Sequence, residues 1–145
     1  MAFIYAILIL LIISGIGTIT YIIYYNALQD CKVKIDESES MIDEALRSKY
    51  DILLKLESLI KTNIKETKIN FKDLNDLKKE SISNFQLERK LVDTVLLINK
   101  IQDDFTELEE IKDYRELLND IRVMDERINA AKKYYNKYTS KSNEL

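Results

Sequence analysis

The sequence predicts an all-α protein: an N-terminal transmembrane helix followed by an antiparallel up-and-down four-helix bundle. Three observations carry that expectation. The first 29 residues, Met1 to Gln29, contain no Asp, Glu, Lys or Arg. Proline is absent, and the only two glycines, Gly15 and Gly17, lie inside that uncharged stretch. Beyond it, apolar residues recur at alternating steps of three and four, the spacing of one helix face.

The anchor comes first, as residues 1–25. At about 1.5 Å per residue, Ala2 to Tyr25 is long enough to cross a hydrocarbon core of about 30 Å. Its apolar content is nine Ile, three Leu and one Phe. At about −0.3 to −0.6 kcal/mol each, these favour insertion by roughly 4–8 kcal/mol. Tyr5 sits near one end and Tyr21, Tyr24 and Tyr25 at the other, where phenols suit the two membrane interfaces. A cleaved signal peptide would need a basic start, a shorter apolar run and small residues at its cut site. None of these is present. Ser14, Gly15, Gly17 and Thr18 make a small-residue patch that either admits another transmembrane helix, giving a homo-oligomer, or is merely tolerated in lipid. Lys32 and Lys34 follow the span and no basic residue precedes it, so the expected orientation in the cell membrane is N-terminus outside, C-terminal part cytoplasmic.

Residues 26–145 suffice for one helical domain. Without Pro or Gly they lack the residues that tight hairpins require, and they are rich in the Leu, Ile, Lys and Glu that suit helices. The 22 basic side chains nearly balance the 25 acidic ones, with no basic stripe, so no nucleic-acid partner is expected. Histidine is absent, which removes a His general base, Ser-His-Asp and Cys-His sites and His-ligated zinc. No Ca²⁺-loop spacing or phosphate-cradling glycine loop occurs. The expectation is a protein with no catalytic activity, cofactor or metal.

Four apolar stripes follow the anchor. One runs from Leu28 through Cys31, Ile35, Leu46, Leu53, Leu56 and Ile60 to Ile64, and a second is Phe71, Leu74 and Leu77. A third runs from Leu87 to Phe105, and the fourth from Ile111 through Tyr114, Ile121 and Ile128 to Tyr135. Polar breaks at 81–84 and 103–107 set helices of roughly 86–104 and 108–139. The stretch 26–80 would measure about 80 Å if straight. It is expected to reverse between Ser48 and Asn63, giving the fourth helix.

With that layout, the chain resembles the LemA family of bacterial membrane proteins. Tyr25, Asn26 and Leu28 stand where the family has Tyr-Asn-x-Leu. Ile42 and Asp43, then Lys49, Tyr50, Asp51 and Ile52, match its Ile-Asp and Arg-Tyr-Asp-Leu. Asp125, Glu126, Arg127, Ile128 and Ala131, followed by Tyr135 and Asn136, match its Glu-Asn-Arg-Ile-x-x-Ala and Tyr-Asn. The family's Trp falls at Glu39 and its Pro at Leu54, and its C-terminal Phe-Pro element has no counterpart here. The resemblance implies a single-pass protein with an antiparallel helical bundle and names no reaction.

Two sets of candidate site residues emerge. An even number of bundle helices brings the last one back to the membrane. That places Lys132, Lys133, Lys137 and Lys141 near Lys32 and Lys34, a set suited to anionic lipid. The alternative is that these lysines complement the dipole of the last helical turn. Asp43, Tyr50, Asp51, Asp125, Arg127 and Asn136 either form a structural polar network between helices or lie solvated on the surface. Cys31 is read as a small core residue rather than an acylation site. The leading functional expectation is a membrane-anchored interaction or scaffold module, with the lipid bilayer and an unidentified protein as partners. The alternative is a bitopic coiled-coil protein of cell division or phage lysis with its long region outside the cytoplasm. Ser38, Lys49 and Asn63 interrupt the strict seam that a coiled coil would want.

Overall fold

A computed structural model describes residues 1–64 and 83–145. Among these residues the chain is helical with no strand. It forms α1 (Ala2–Asn63), α2 (Asn84–Asp104), a 3₁₀ turn (Thr106–Glu110) and α3 (Lys112–Glu144). The apolar stretch of α1 has a mean hydropathy of 2.5 over its best window and is 0% buried, so it is long and apolar enough to cross a membrane. A Cβ added at Gly15 or Gly17 would meet nothing within 4 Å among the described residues.

The described helices number three, and the reversal expected between Ser48 and Asn63 does not occur. The physical reason is local. No Pro or Gly interrupts 18–64, and the expected breakers are absorbed by the helix itself. Thr62 Oγ1 donates to the carbonyl of Ser58, and Asn63 Nδ2 to that of Leu59. The pairs Asp43–Arg47 and Glu57–Lys61 add support one turn apart. The stripe expected at Phe71, Leu74 and Leu77 lies outside the described residues.

The other boundaries follow their chemistry. Ser83 is the N-cap of α2, its hydroxyl accepting from the Gln86 amide at 3.3 Å. α2 stops at Asp104, where Phe105 leaves helical geometry. The break expected at 103–107 is therefore a 3₁₀ turn, and α3 starts four residues later than expected and runs five further.

The described chain divides into two units, Met1–Glu39 with Lys133–Leu145, and Ser40–Lys132. In the second unit Leu46, Leu53, Leu56 and Ile60 of α1 are fully buried. They belong to one apolar cluster with Leu91, Ile98 and Ile101 of α2, Leu108 of the turn, and Tyr114, Ile121 and Ile128 of α3. On α1 the core positions 46, 49, 53, 56 and 60 step by three and four, the spacing of side-by-side helix packing. Gln102 meets Tyr114 at one end of the α2–α3 hairpin and Glu88 meets Lys132 at the other, so α2 and α3 are antiparallel.

In the first unit, Tyr24 Oη donates to the carbonyl of Leu145 at 2.5 Å and Lys34 Nζ to Tyr138 Oη at 3.2 Å. Here α1 and α3 also run antiparallel, and the end of α3 reaches the foot of the apolar stretch. Ser38 is fully buried and donates to the Lys34 carbonyl, and Cys31 is fully buried as a core residue. Thr139 Oγ1 is buried with no hydrogen-bond partner among the described residues. Leaving such a hydroxyl unmet costs about 1 kcal/mol or more, so Thr139→Val, which keeps the β-branched shape and removes the hydroxyl, is expected to raise thermal stability slightly. A lower melting temperature for Thr139→Val would contradict that.

Candidate functional site

In the first unit, cationic side chains from two helices gather on one phenol. Asp30 and Lys34 are one turn apart on α1 and pair at 3.3 Å. Tyr134 and Tyr138 are one turn apart on α3, with ring centroids 4.6 Å apart. The Lys34 ammonium stands 4.7 Å from the Tyr138 ring centre, with those of Lys137 and Lys141 at 5.5 and 5.9 Å. Hydrogen bonds from Lys34 first, and from Tyr134 next, favour the ionised form and hold the Tyr138 phenol below its ordinary pKa. The same contact, followed by Asp30, pushes Lys34 upward. Tyr134 is raised, mainly by burial.

Of the six lysines expected to gather, the structure brings Lys34, Lys137 and Lys141 together around Tyr138. Lys132 belongs to the second unit and donates to Glu88. Lys32 and Lys133 are exposed. Among the interface tyrosines, Tyr5 is exposed, Tyr21 stacks on Tyr25 at 6.2 Å, and Tyr24 meets Leu145.

In the second unit, one cross-helix ion pair stands out. Lys49 of α1, 4% exposed, bonds Asp125 of α3 at 2.6 Å. Of the six polar candidates, Asp125 makes this contact. Asp43 bonds Arg47 on its own helix at 2.9 Å, and Tyr50 is half-buried against the core with its pKa raised by burial. Asp51, Arg127 and Asn136 are exposed. Lys49 was not among the candidates, because a lysine inside an apolar stripe reads as an interruption. The signal was its position, three residues after Leu46 and four before Leu53.

A second polar relay closes the α2–α3 corner. Tyr114 Oη donates to Gln102 Oε1 at 2.9 Å, and Gln102 Nε2 donates to Glu109 at 2.6 Å. Tyr114 is fully buried, and that burial, with the charge of Glu109 second, pushes its pKa up to about 12. In the unfolded chain it ionises near 10. The folded group holds its proton longer, so its contribution is complete below about pH 10 and is lost as pH rises toward 12, a fall of about 2–3 kcal/mol. Tyr114→Phe is expected to cost about 1 kcal/mol at neutral pH and to flatten the stability curve across that window. Urea melts at about pH 9 and pH 11.5 check both.

Two surface features of this unit suit a partner. Met41, Glu44, Ala45 and Ser48 of α1 face Met124, Arg127 and Ala130 of α3 across a groove of about 310 Å³. Methionines flanked by small residues and one charge of each sign make an adaptable apolar seat. On α2, Phe85, Val92 and Leu96 are exposed at 75%, 44% and 61%, and their spacing puts them on one helix face. Comparison with known protein families, curated proteins and solved structures returns no match.

Proposed function

We propose that this chain is a single-pass, membrane-tethered scaffold of the LemA type that docks another protein on its helical part and carries out no reaction. The observation that carries the reading is the uncharged apolar stretch of α1, exposed along its whole length in a chain whose remaining helices bury their own core. Such a stretch has a large free-energy gain in lipid and none in water. The Met41–Met124 groove and the Phe85, Val92 and Leu96 row supply the docking surface. Lys32 and Lys34, with no basic residue on the other side, orient the helical part to the cytoplasm. Alkaline extraction should leave the full chain in the membrane. Protease added to intact cells should spare residues 30–145, and a photo-crosslinker at Met124 should give a discrete adduct that Arg127→Glu abolishes. Release into the alkaline supernatant defeats the tether.

The second reading, a bitopic coiled-coil protein with its long region outside, draws on the 62-residue continuity of α1. Against it, the seam residues Leu46, Leu53, Leu56 and Ile60 are already buried within one chain, which takes that seam of α1 away from a second copy. Removal of residues 30–145 by external protease, with a dimeric mass in detergent, would select it.

A further inference from the structure

The lysine cluster has a property that closing a helix end does not require. Complementing the α3 dipole needs cations near the last turn, and Lys141 alone provides one there. It does not need Lys34 to arrive from another helix, or three ammoniums to share one ring. Lys34 has Asp30 within ion-pair distance, whereas no carboxylate among the described residues lies that close to Lys137 or Lys141. Glu37 faces Tyr134, and Glu144 is exposed in the last turn. Beside the ring, the ammoniums of Lys137 and Lys141 therefore stand without an ion-pair partner among the described residues. Lys137 and Lys141, held beside one ring with no carboxylate in ion-pair reach among the described residues, are relieved by an anion that presents several oxygens.

We propose that Lys34, Lys137 and Lys141, gathered around Tyr138, form a site for the phosphate of an anionic lipid headgroup. The Tyr138 oxygen accepts from Lys34 at 3.2 Å, which leaves its own hydroxyl proton to donate to a phosphate oxygen. Lys137 and Lys141 are exposed, so their ammoniums are reachable from solvent. Tyr24 fixes the depth. With its phenol at the interface, Lys34 lies about 15 Å further along α1, and Lys141 is about one turn nearer on the returning helix. The headgroup layer extends about 5–8 Å beyond the hydrocarbon, short of the ring, so the stem of Lys141, the member nearest the bilayer, makes the first contact and the lipid rises to meet the other two. The site rests on α1 being membrane-embedded, which sets the lipid as the source. A free phosphate offers the same chemistry.

The test uses the full chain in neutral maltoside micelles, titrated by calorimetry with dihexanoyl phosphatidic acid, dihexanoyl phosphatidylcholine and inorganic phosphate. Phosphatidic acid should bind and phosphatidylcholine should not. Lys137→Gln with Lys141→Gln should weaken binding by about tenfold or more, with unchanged helicity and melting. Lys112→Gln, on the exposed far end of α3, should leave it unchanged. Inorganic phosphate binding as tightly as the lipid probe keeps the anion site and identifies soluble phosphate as its occupant. Phosphatidic acid binding no tighter than phosphatidylcholine overturns the proposal, as does affinity indifferent to the double substitution. Alkaline extraction reports separately on the anchor, so loss of the tether and loss of the phosphate site are told apart.

Discussion

Asp125→Ala is expected to destabilise the protein by about 3 kcal/mol, while Lys49→Met changes stability by less than about 1 kcal/mol in either direction. The two partners of this ion pair are not equivalent. The Lys49 side chain is 4% exposed and that of Asp125 45% exposed. Removing the carboxylate strands an ammonium in the core, with Glu88 on the same groove already bound by Lys132. Removing the ammonium leaves a carboxylate that water can reach, and methionine refills the volume. The value for Asp125→Ala sits at the low end of what breaking a buried pair costs because its carboxylate is half exposed. Combining Lys49→Met with Asp125→Ala should recover most of the loss, since no charge is then left unmet. Thermal melts of the full chain in micelles, followed by circular dichroism, measure all three. Equal costs for the two single substitutions would mean that the asymmetry in burial does not govern the pair.

The second large effect concerns the anchor. Leu11→Lys with Ile13→Lys is expected to abolish stable insertion. Each lysine near the middle of a span costs about 2.5–3.5 kcal/mol, and two apolar contributions are lost as well. Together these cancel the roughly 4–8 kcal/mol that the Ile, Leu and Phe content supplies. Alkaline extraction should then move the chain from the pellet to the supernatant. Leu11→Ala with Ile13→Ala should stay in the pellet. Retention of the double-lysine variant would show that something other than the apolar helix holds the chain to the membrane.

The parts of the fold legible from sequence were those written in single residues. The uncharged run from Met1 to Gln29 marks the apolar stretch of α1, because the length and hydropathy of a helix are set by composition rather than by packing. Ser83 and the Asp103, Asp104 pair place the ends of α2 to within two residues, because caps and breakers act locally. The reversal in α1 was misread for the opposite reason. Its apolar periodicity is the same whether the helix bends or continues, and the argument for a turn came from matching helix lengths. With no Pro or Gly from 18 onward, nothing in the chain forces that turn. Lys34 does lie beside the end of α3, as expected, but the even helix count on which that expectation rests is not seen among the described residues. The convergence of Lys137 and Lys141 on the Tyr138 ring needed coordinates, because their spacing alone also suits a dipole-complementing turn. Lys49 in the core needed them too.

The separations along the chain impose an order on assembly during synthesis. The α2–α3 corner closes between Gln102 and Tyr114, 12 residues apart. Lys49 must wait for Asp125, 76 residues downstream, and Tyr24 for Leu145, 121 residues downstream. At ribosomal speeds of about 5–20 residues per second, Leu46, Leu53, Leu56 and Ile60 stay without their α3 partners for roughly 4–15 s. The greasy row on the first helix is therefore born bare, and the growing polypeptide must be kept from clumping until its tail arrives.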